Sequence, residues 1–308
     1  MESRVMWFLK QGIRGSALLT VWFLVGCYSY PDEKALIRDL QIVGVYPIES
    51  AEPIEPSGLC ILNGELYSVS DDTPDWIFKV VVTGEVARFE PYLQFTLPDQ
   101  TPMDLEGIEI GPDGLFYLLN ETSAQVLRVD ADGQAHWVTA NAIKAGKAAG
   151  LFQVEGGRAE GLAILEDGRF LVLAERQPRG WLEINDTSVL KAASMPKTRF
   201  REHTSIFRIP DFTGAARDGT DIWVLHRNLE LIGKLEWKGG KYVENEIGWS
   251  FRHILKLPDW AYLADRFGTA EGLAMDASYF YVVLDNNGSG RKRDTKDKRP
   301  LLLVLKRP

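Results

Sequence analysis

Arg158–Arg176 reads RAEGLAILEDGRFLVLAER, and the pattern recurs along the chain. Ser57–Asp72 reads SGLCILNGELYSVSDD, Glu106–Glu121 reads EGIEIGPDGLFYLLNE, and Glu271–Asn286 reads EGLAMDASYFYVVLDN. A weaker copy, DGTDIWVLHRN at Asp218–Asn228, keeps the second half alone. Each full copy has Glu or Ser before Gly, a short apolar run, a turn, and a second run rich in Leu, Val, Phe and Tyr. The turns carry Gly-Glu, Pro-Asp-Gly or Glu-Asp-Gly, which is hairpin chemistry. A helical reading fails, because apolar residues do not recur at three and four and turns interrupt every few residues.

After the second copy, AQVLRVDADGQAHWV (124–138) supplies a third strand, an Asp-Gly turn and a fourth strand. Four antiparallel strands per repeat predict the blade of an all-β propeller. The motif glycines Gly58, Gly107, Gly161 and Gly272 are 49, 54 and 111 residues apart, so the weak copy falls inside a double gap. This spacing predicts five blades, or six if Ala174–Phe207 hides a further sheet. The last blade lacks a fourth strand after LLLVLKR, and LIRDLQIVGVYPI (Leu36–Ile48) is the strand region left to complete it. Joining the two ends would remove exposed sheet edges.

In such a hairpin the start of the first strand and the end of the second share one face. The starts carry Ser57, Glu106, Glu160 and Glu271; the ends carry Asp71, Glu121, Glu175 and Asp285. Aligning VLHRN with VLAER puts Arg227 where other copies have an acid, beside His226, while Arg176 and Arg179 stand close to Glu175. Carboxylates crowded at one narrow mouth repel, so they are protonated or neutralised by a cation. Oxygen-only donors on a rigid ring suit Ca²⁺, with Asp71, Glu106, Glu121, Glu160, Glu175, Glu271 and Asp285 as the candidate metal set. The other reading of each acid is a cap on a neighbouring blade's backbone N–H. Acids together with arginines would hold a metal and a phosphate or carboxylate at once.

The ordered series SGL…YSVSDD, DLEGIEIGPDGLFYLLNE, AEGLAILEDGRFLVLAER and AEGLAMDASYFYVVLDNN resembles the phytase-like family labelled "esterase-like activity of phytase", from about Pro56 to the end. Gluconolactonase-like and NHL-type propellers share the strand rhythm. The resemblance implies a propeller with a cation at its central mouth and an ester or phosphoester hydrolase. The contiguous Asp-rich calcium pattern of β-propeller phytases is not evident in this chain. On the hydrolase reading, Glu106, Glu160 and Glu271 are ligands or general base, Glu121, Glu175 and Asp285 are further ligands, and Arg176 and Arg227 stabilise an anionic substrate. The rival reading is a binding module with a structural cation, recruiting a sugar, a cell-wall fragment or a protein.

The N-terminus carries Arg4, Lys10 and Arg14, then an apolar run from Ala17 to Val25 that is short for a membrane span. It reads as a signal peptide. Leu24-Val25-Gly26-Cys27 resembles a bacterial lipobox, which predicts a signal over residues 1–26, lipidation of Cys27, a tether over 27–35 and one propeller domain over 36–308. Tyr28, rather than Asp, follows the cysteine, which suits an outer-membrane lipoprotein facing the periplasm. With Cys27 lipidated, Cys60 has no partner, and its apolar setting predicts a buried small hydrophobe.

The 308 residues are 45% hydrophobic, enough for a sizeable core, and the net charge of −8 disfavours nucleic acid as a partner. A monomer with a small anionic ester or sugar ligand is expected. No Gly-x-Ser-x-Gly elbow or His-Glu-x-x-His is present, and His136, His203, His226 and His253 show no zinc-ligand spacing. GRKRDTKDKRP (290–300) reads as a solvated loop of the last blade. Trp181 reads as a loop residue that packs, or else stacks on a ligand ring.

Overall fold

A computed structural model describes residues 35–98, 103–264 and 266–308. The predicted signal segment and Cys27 lie outside the described residues. The architecture is all-β, with two short helices, Ile143–Ala148 and Arg252–Leu255, among the described residues.

In chain order the strands open with β1 (Leu36–Asp39) and β2 (Ile42–Glu49). A first unit follows: β3 (Pro56–Leu62), β4 (Glu65–Ser70), β5 (Trp76–Thr83) and β6 (Val86–Gln94). The second is β7 (Leu105–Ile110), β8 (Phe116–Asn120), β9 (Gln125–Val129) and β10 (Ala135–Trp137). The third is β11 (Ala159–Ile164), β12 (Phe170–Ala174), β13 (Gly180–Ile184) and β14 (Val189–Ser194). The fourth is β15 (Gly214–Asp218), β16 (Asp221–His226), β17 (Leu231–Lys238), β18 (Lys241–Glu244) and β19 (Ile247–Ser250). The last is β20 (Ala270–Met275), β21 (Tyr279–Leu284) and β22 (Leu301–Lys306).

Within each unit successive strands pair antiparallel, except that in the fourth both β18 and β19 pair with β17. Asn63 and Gly64 close the β3–β4 hairpin with φ of 53° and 79°, the left-handed pair that an Asn-Gly turn needs. The last unit gains its fourth strand from the other end of the chain: β2 pairs antiparallel with β22, from Ile42 opposite Leu305 to Pro47 opposite Leu301. Only part of the predicted Leu36–Ile48 strand does this. β1 turns away and pairs parallel with β19 at the rim of the fourth unit; the chain changes sheet between Leu40, whose N–H donates to Ser250 O, and Gln41, whose C=O accepts from Lys306 N–H. Ala174–Phe207 holds β13, β14 and one 3₁₀ turn at Arg201–His203, with no further sheet among its residues.

Apolar clusters fill the spaces between successive units. Cys60, Tyr67 and Ile77 meet Leu105 and Leu118; Leu119 and Val126 meet Leu162, Phe170 and Val172. Ala163 and Leu171 meet Ala215 and Val224; Trp223 and Leu225 meet Leu273 and Phe280. Val283 and Leu302 of the last unit meet Leu59 and Phe78 of the first. Full burial of each such side chain is worth about 1.5–3 kcal/mol, so the stability lies between sheets. Trp181 is part of this core: it sits on β13, 2% exposed, edge-on to Tyr242 and Trp237, and is not a loop residue. Cys60 is buried with its thiol pushed up by burial.

The motif glycines stand where one innermost strand meets the next. A Cβ on Gly58 would lie 2.8 Å from Ile108 N, and one on Gly107 3.0 Å from Leu162 Cβ. On Gly161 it would lie 3.2 Å from Gly214 C, on Gly214 3.1 Å from Leu273 N, and on Gly272 2.2 Å from Ser57 O. The sequence of approaches runs β3 to β7 to β11 to β15 to β20 and back to β3. Any side chain here would wedge two sheets apart.

Candidate functional site

The residue before each motif glycine is set by the backbone. In β3, β7, β11 and β20 the pairing register shifts at this point, between Leu105 and Gly107, Ala159 and Gly161, Ala270 and Gly272, and Pro56 and Leu59. Glu106, Glu160 and Glu271 are therefore the extra residues of β-bulges. A bulge takes its residue out of the ladder and re-aims its side chain. These three line a cavity of about 150 Å³ together with Glu55, Asp71, Asp285 and Arg227.

The ring is asymmetric. Arg227, at the end of β16, donates from Nη1 to Glu271 Oε1 and Oε2 at 2.8 and 2.9 Å, forms an ion pair with Glu175, and lies 3.6 Å from Asp211. Burial works against its charge, but Glu271, Glu160 and Glu106 more than compensate and raise its pKa. Among the described residues that line the cavity, the wall around Asp71 has no such cation. Asp71, Asp104 and Glu106 place carboxylate oxygens within 4.8 Å of one another, as do Glu55, Asp71 and Asp72. Asp71 belongs to both groups, and its buried Oδ1 has no hydrogen-bond partner.

The titration behaviour follows. Burial, then repulsion from Glu160, Glu271, Asp104 and Asp71, lifts Glu106 well above the carboxylate range. Burial lifts Glu160 likewise, although Arg227 opposes it. Asp71 is pushed up to about 7 by burial and by Glu55, Asp72 and Asp104. Asp285 is pushed up to about 7 by burial, with Glu271 adding to it. All-carboxylate donors around an unpartnered buried oxygen fit a hard divalent cation of the Ca²⁺ or Mg²⁺ type.

Several of the predicted residues stand elsewhere. Glu121 accepts from the backbone N–H of Arg158 at 2.7 Å, fastening the second unit to the third, and does not line the cavity. Glu175 is fully buried behind the wall, held by Arg227 and Arg176. Asp285 lines the cavity and also caps the N–H of Asn287 at 2.9 Å. Arg179 is far from the role its sequence position suggested: buried, it donates to Glu244 at 2.6 Å, to Met195 O at 2.9 Å and to His226 Nδ1 at 3.2 Å. Burial lowers the pKa of His226, so this imidazole is a neutral core group. In the basic loop, Arg291 and Arg299 pair with Asp297, at 3.0 and 2.9 Å, and Arg291 is buried.

Glu55, Asp72, Asp104 and Asp211 extend the predicted set. Three of them share a signal in the sequence. Three residues before each motif glycine stand Glu55, Asp104, Arg158, Asp211 and Thr269, polar in every copy. The fourth copy also has its own first half: Thr213-Gly214 replaces Glu-Gly, 53 residues after Gly161. Thr213 donates its hydroxyl to Ala270 O at 2.7 Å, joining the fourth unit to the last.

Comparison with known proteins bears on the same region. The family model described as "Phytase-like: Esterase-like activity of phytase" matches residues 56–244. No curated protein matches the chain. Among solved structures, glutaminyl cyclase from Myxococcus xanthus is similar in fold, with a TM-score of 0.54 at 11% identity over 89% of this chain and 99% of that one. A PQQ-bound aldose sugar dehydrogenase from Streptomyces coelicolor gives a TM-score of 0.47 at 14% identity, covering 90% of this chain and 99% of that one. A gluconolactonase from Xanthomonas campestris gives 0.43 at 12% identity, covering 90% and 98%.

Proposed function

The chain belongs to the phytase-like family, and from that premise we propose that it is a five-bladed β-propeller hydrolase of esters or phosphoesters acting at the acidic mouth. β2 beside β22 closes the ring on this reading. The observation that carries the proposal is the split mouth: uncompensated carboxylates around Asp71 on one wall, and Arg227 on the other.

Asp71, Asp104 and Glu106, with Glu55 and Asp72 beside them, would hold a Ca²⁺ ion. Such an ion, when bound, polarises an ester oxygen and lowers the pKa of a water. The chain's own groups do the rest. Arg227 fixes Glu271 and presents positive charge to an anionic ester oxygen. Glu160, held above the ordinary carboxylate range by burial, is the general acid and carries the proton transferred in the reaction. As water adds to the acyl carbon or phosphorus, Glu160 gives its proton to the leaving alcohol oxygen, and the proton lost by the water returns to the Glu160 carboxylate. Arg176, ion-paired with Glu175, stands at the outer edge of the same face.

The reading is tested with the full-length chain on 4-nitrophenyl acetate and 4-nitrophenyl phosphate. Turnover is expected to be lost in chelator, restored by Ca²⁺, and absent in Glu106→Gln. Turnover that persists in chelator or in the variant overturns it. A binding module is the second reading, supported by Glu121 and Asp285 serving as backbone caps. Lipidation at Cys27 and an outer-membrane, periplasm-facing location accompany either reading, as a monomer.

A further inference from the structure

A second cavity opens beside the mouth. It measures about 910 Å³ and shares Arg227 and Asn287 with the acidic cavity. Its walls come from the segments before β15 and β20 and from the residues that follow β12, β16 and β21. Ile206, Phe207 and Phe267 present apolar surface to it while 38%, 40% and 54% exposed. Three arginines line it, Arg176, Arg227 and Arg266, and no carboxylate is among its described lining residues. That is unusual on a chain of net charge −8.

Arg266 carries the argument. Its guanidinium carbon lies 3.9 Å from the centroid of the Phe207 ring and 5.5 Å from that of Phe267. A guanidinium stacked on an aromatic face keeps its edge donors free for an anion. Arg227 stands at the end that adjoins the mouth, its charge shared with Glu175 and Glu271. The groove thus offers a flat apolar floor with a cationic margin, next to a site built of carboxylates. Charge selects an anion, and the exposed Phe and Ile side chains select one with an apolar body.

We propose that this groove binds an aryl-bearing phosphate ester, with the ring on Phe207 and Phe267 and the anionic head reaching Arg266 and Arg227. This deepens the hydrolase reading by naming the substrate class. The groove itself needs no catalysis.

The test is calorimetry on the full-length chain with 1-naphthylphosphonate, which has no ester bond to cleave. Inorganic phosphate and 1-naphthol are the comparison ligands. The phosphonate is expected to bind at least about ten-fold tighter than either, since ring and charge are both engaged. Phe207→Ala and Arg266→Ala are each expected to weaken it by about ten-fold, with the melting temperature unchanged because both side chains are exposed. Equal binding of inorganic phosphate, or insensitivity to both substitutions, overturns the proposal. Phosphonate binding without turnover of any ester supports the groove and removes only the hydrolase reading.

Discussion

Arg227 Nη1 lies 2.8 Å from Glu271 Oε1, a contact spanning 44 residues and joining the fourth unit to the last. The same guanidinium reaches back to Glu175 of the third. One side chain therefore holds three units around the mouth.

Arg227→Ala takes from Glu175, 0% exposed, one of its two cations and leaves Glu271 without its partner. Breaking a buried pair from one side costs about 3–5 kcal/mol. The loss should appear as a lower midpoint in urea. Arg227→Lys is expected to recover part of it, because an ammonium cannot bridge both carboxylates with a planar fork.

Ca²⁺ should stabilise the folded chain through the Asp71 wall. At a hundred-fold excess over its dissociation constant, the gain is about 2.7 kcal/mol. Asp71→Asn and Glu106→Gln should each abolish the rise in melting temperature. Glu121→Gln should keep it, since the amide oxygen still accepts from Arg158 N–H and Glu121 does not line the cavity. A response lost equally in all three would place the ion elsewhere.

The pH dependence in chelator has a defined sign. Asp71, Asp211 and Asp285 have folded pKa values pushed up to about 7, from the ordinary 3.8. Between those limits the folded chain binds more protons than the unfolded chain. The contribution of these groups to stability is full below about pH 4 and is lost as pH rises through about 7. Melting temperature measured from pH 5 to 8 should therefore fall, and added Ca²⁺ should flatten the upper part of the curve. A rise over that interval would contradict the protonated assignment.

Gly272→Ala puts a methyl group 2.2 Å from Ser57 O, where the last unit meets the first. Overpacking of this kind costs about 1–3 kcal/mol. Gly168→Ala, at a hairpin turn with φ of +81° and no neighbour within 4 Å, strains only its own backbone. Its cost should be about 1 kcal/mol. The two chemical midpoints, compared, separate crowding between sheets from turn strain.

The glycine rhythm was legible because each Gly answers a hard steric demand, and sterics write the same letter every time. The position before Gly was legible for a related reason, since a bulge aims it at the axis. Gly214 went unread because the residue before it is Thr213, whose hydroxyl donates to Ala270 O at 2.7 Å, where the other copies have Ser or Glu. Asp104 and Glu55 were missed because they precede the repeat as it was framed, although their own spacing to Gly is constant. Nothing local in Leu36–Asp39 distinguishes it from the strand that follows. Its partner β19 lies some two hundred residues away and pairs parallel. Arg179 and Arg227 look alike in sequence, and only the position of Glu244 sends one into the core.

The pairing of β2 with β22 also sets a timetable for biosynthesis. Ile42–Glu49 leaves the ribosome among the earliest strands, yet its partner begins at Leu301. Ile48 and Glu49 find β6 early, but the rest of β2 remains an open edge until Leu301–Lys306 is made, a hazard for sticking to other chains. A truncation before Leu301 would leave that edge open for good.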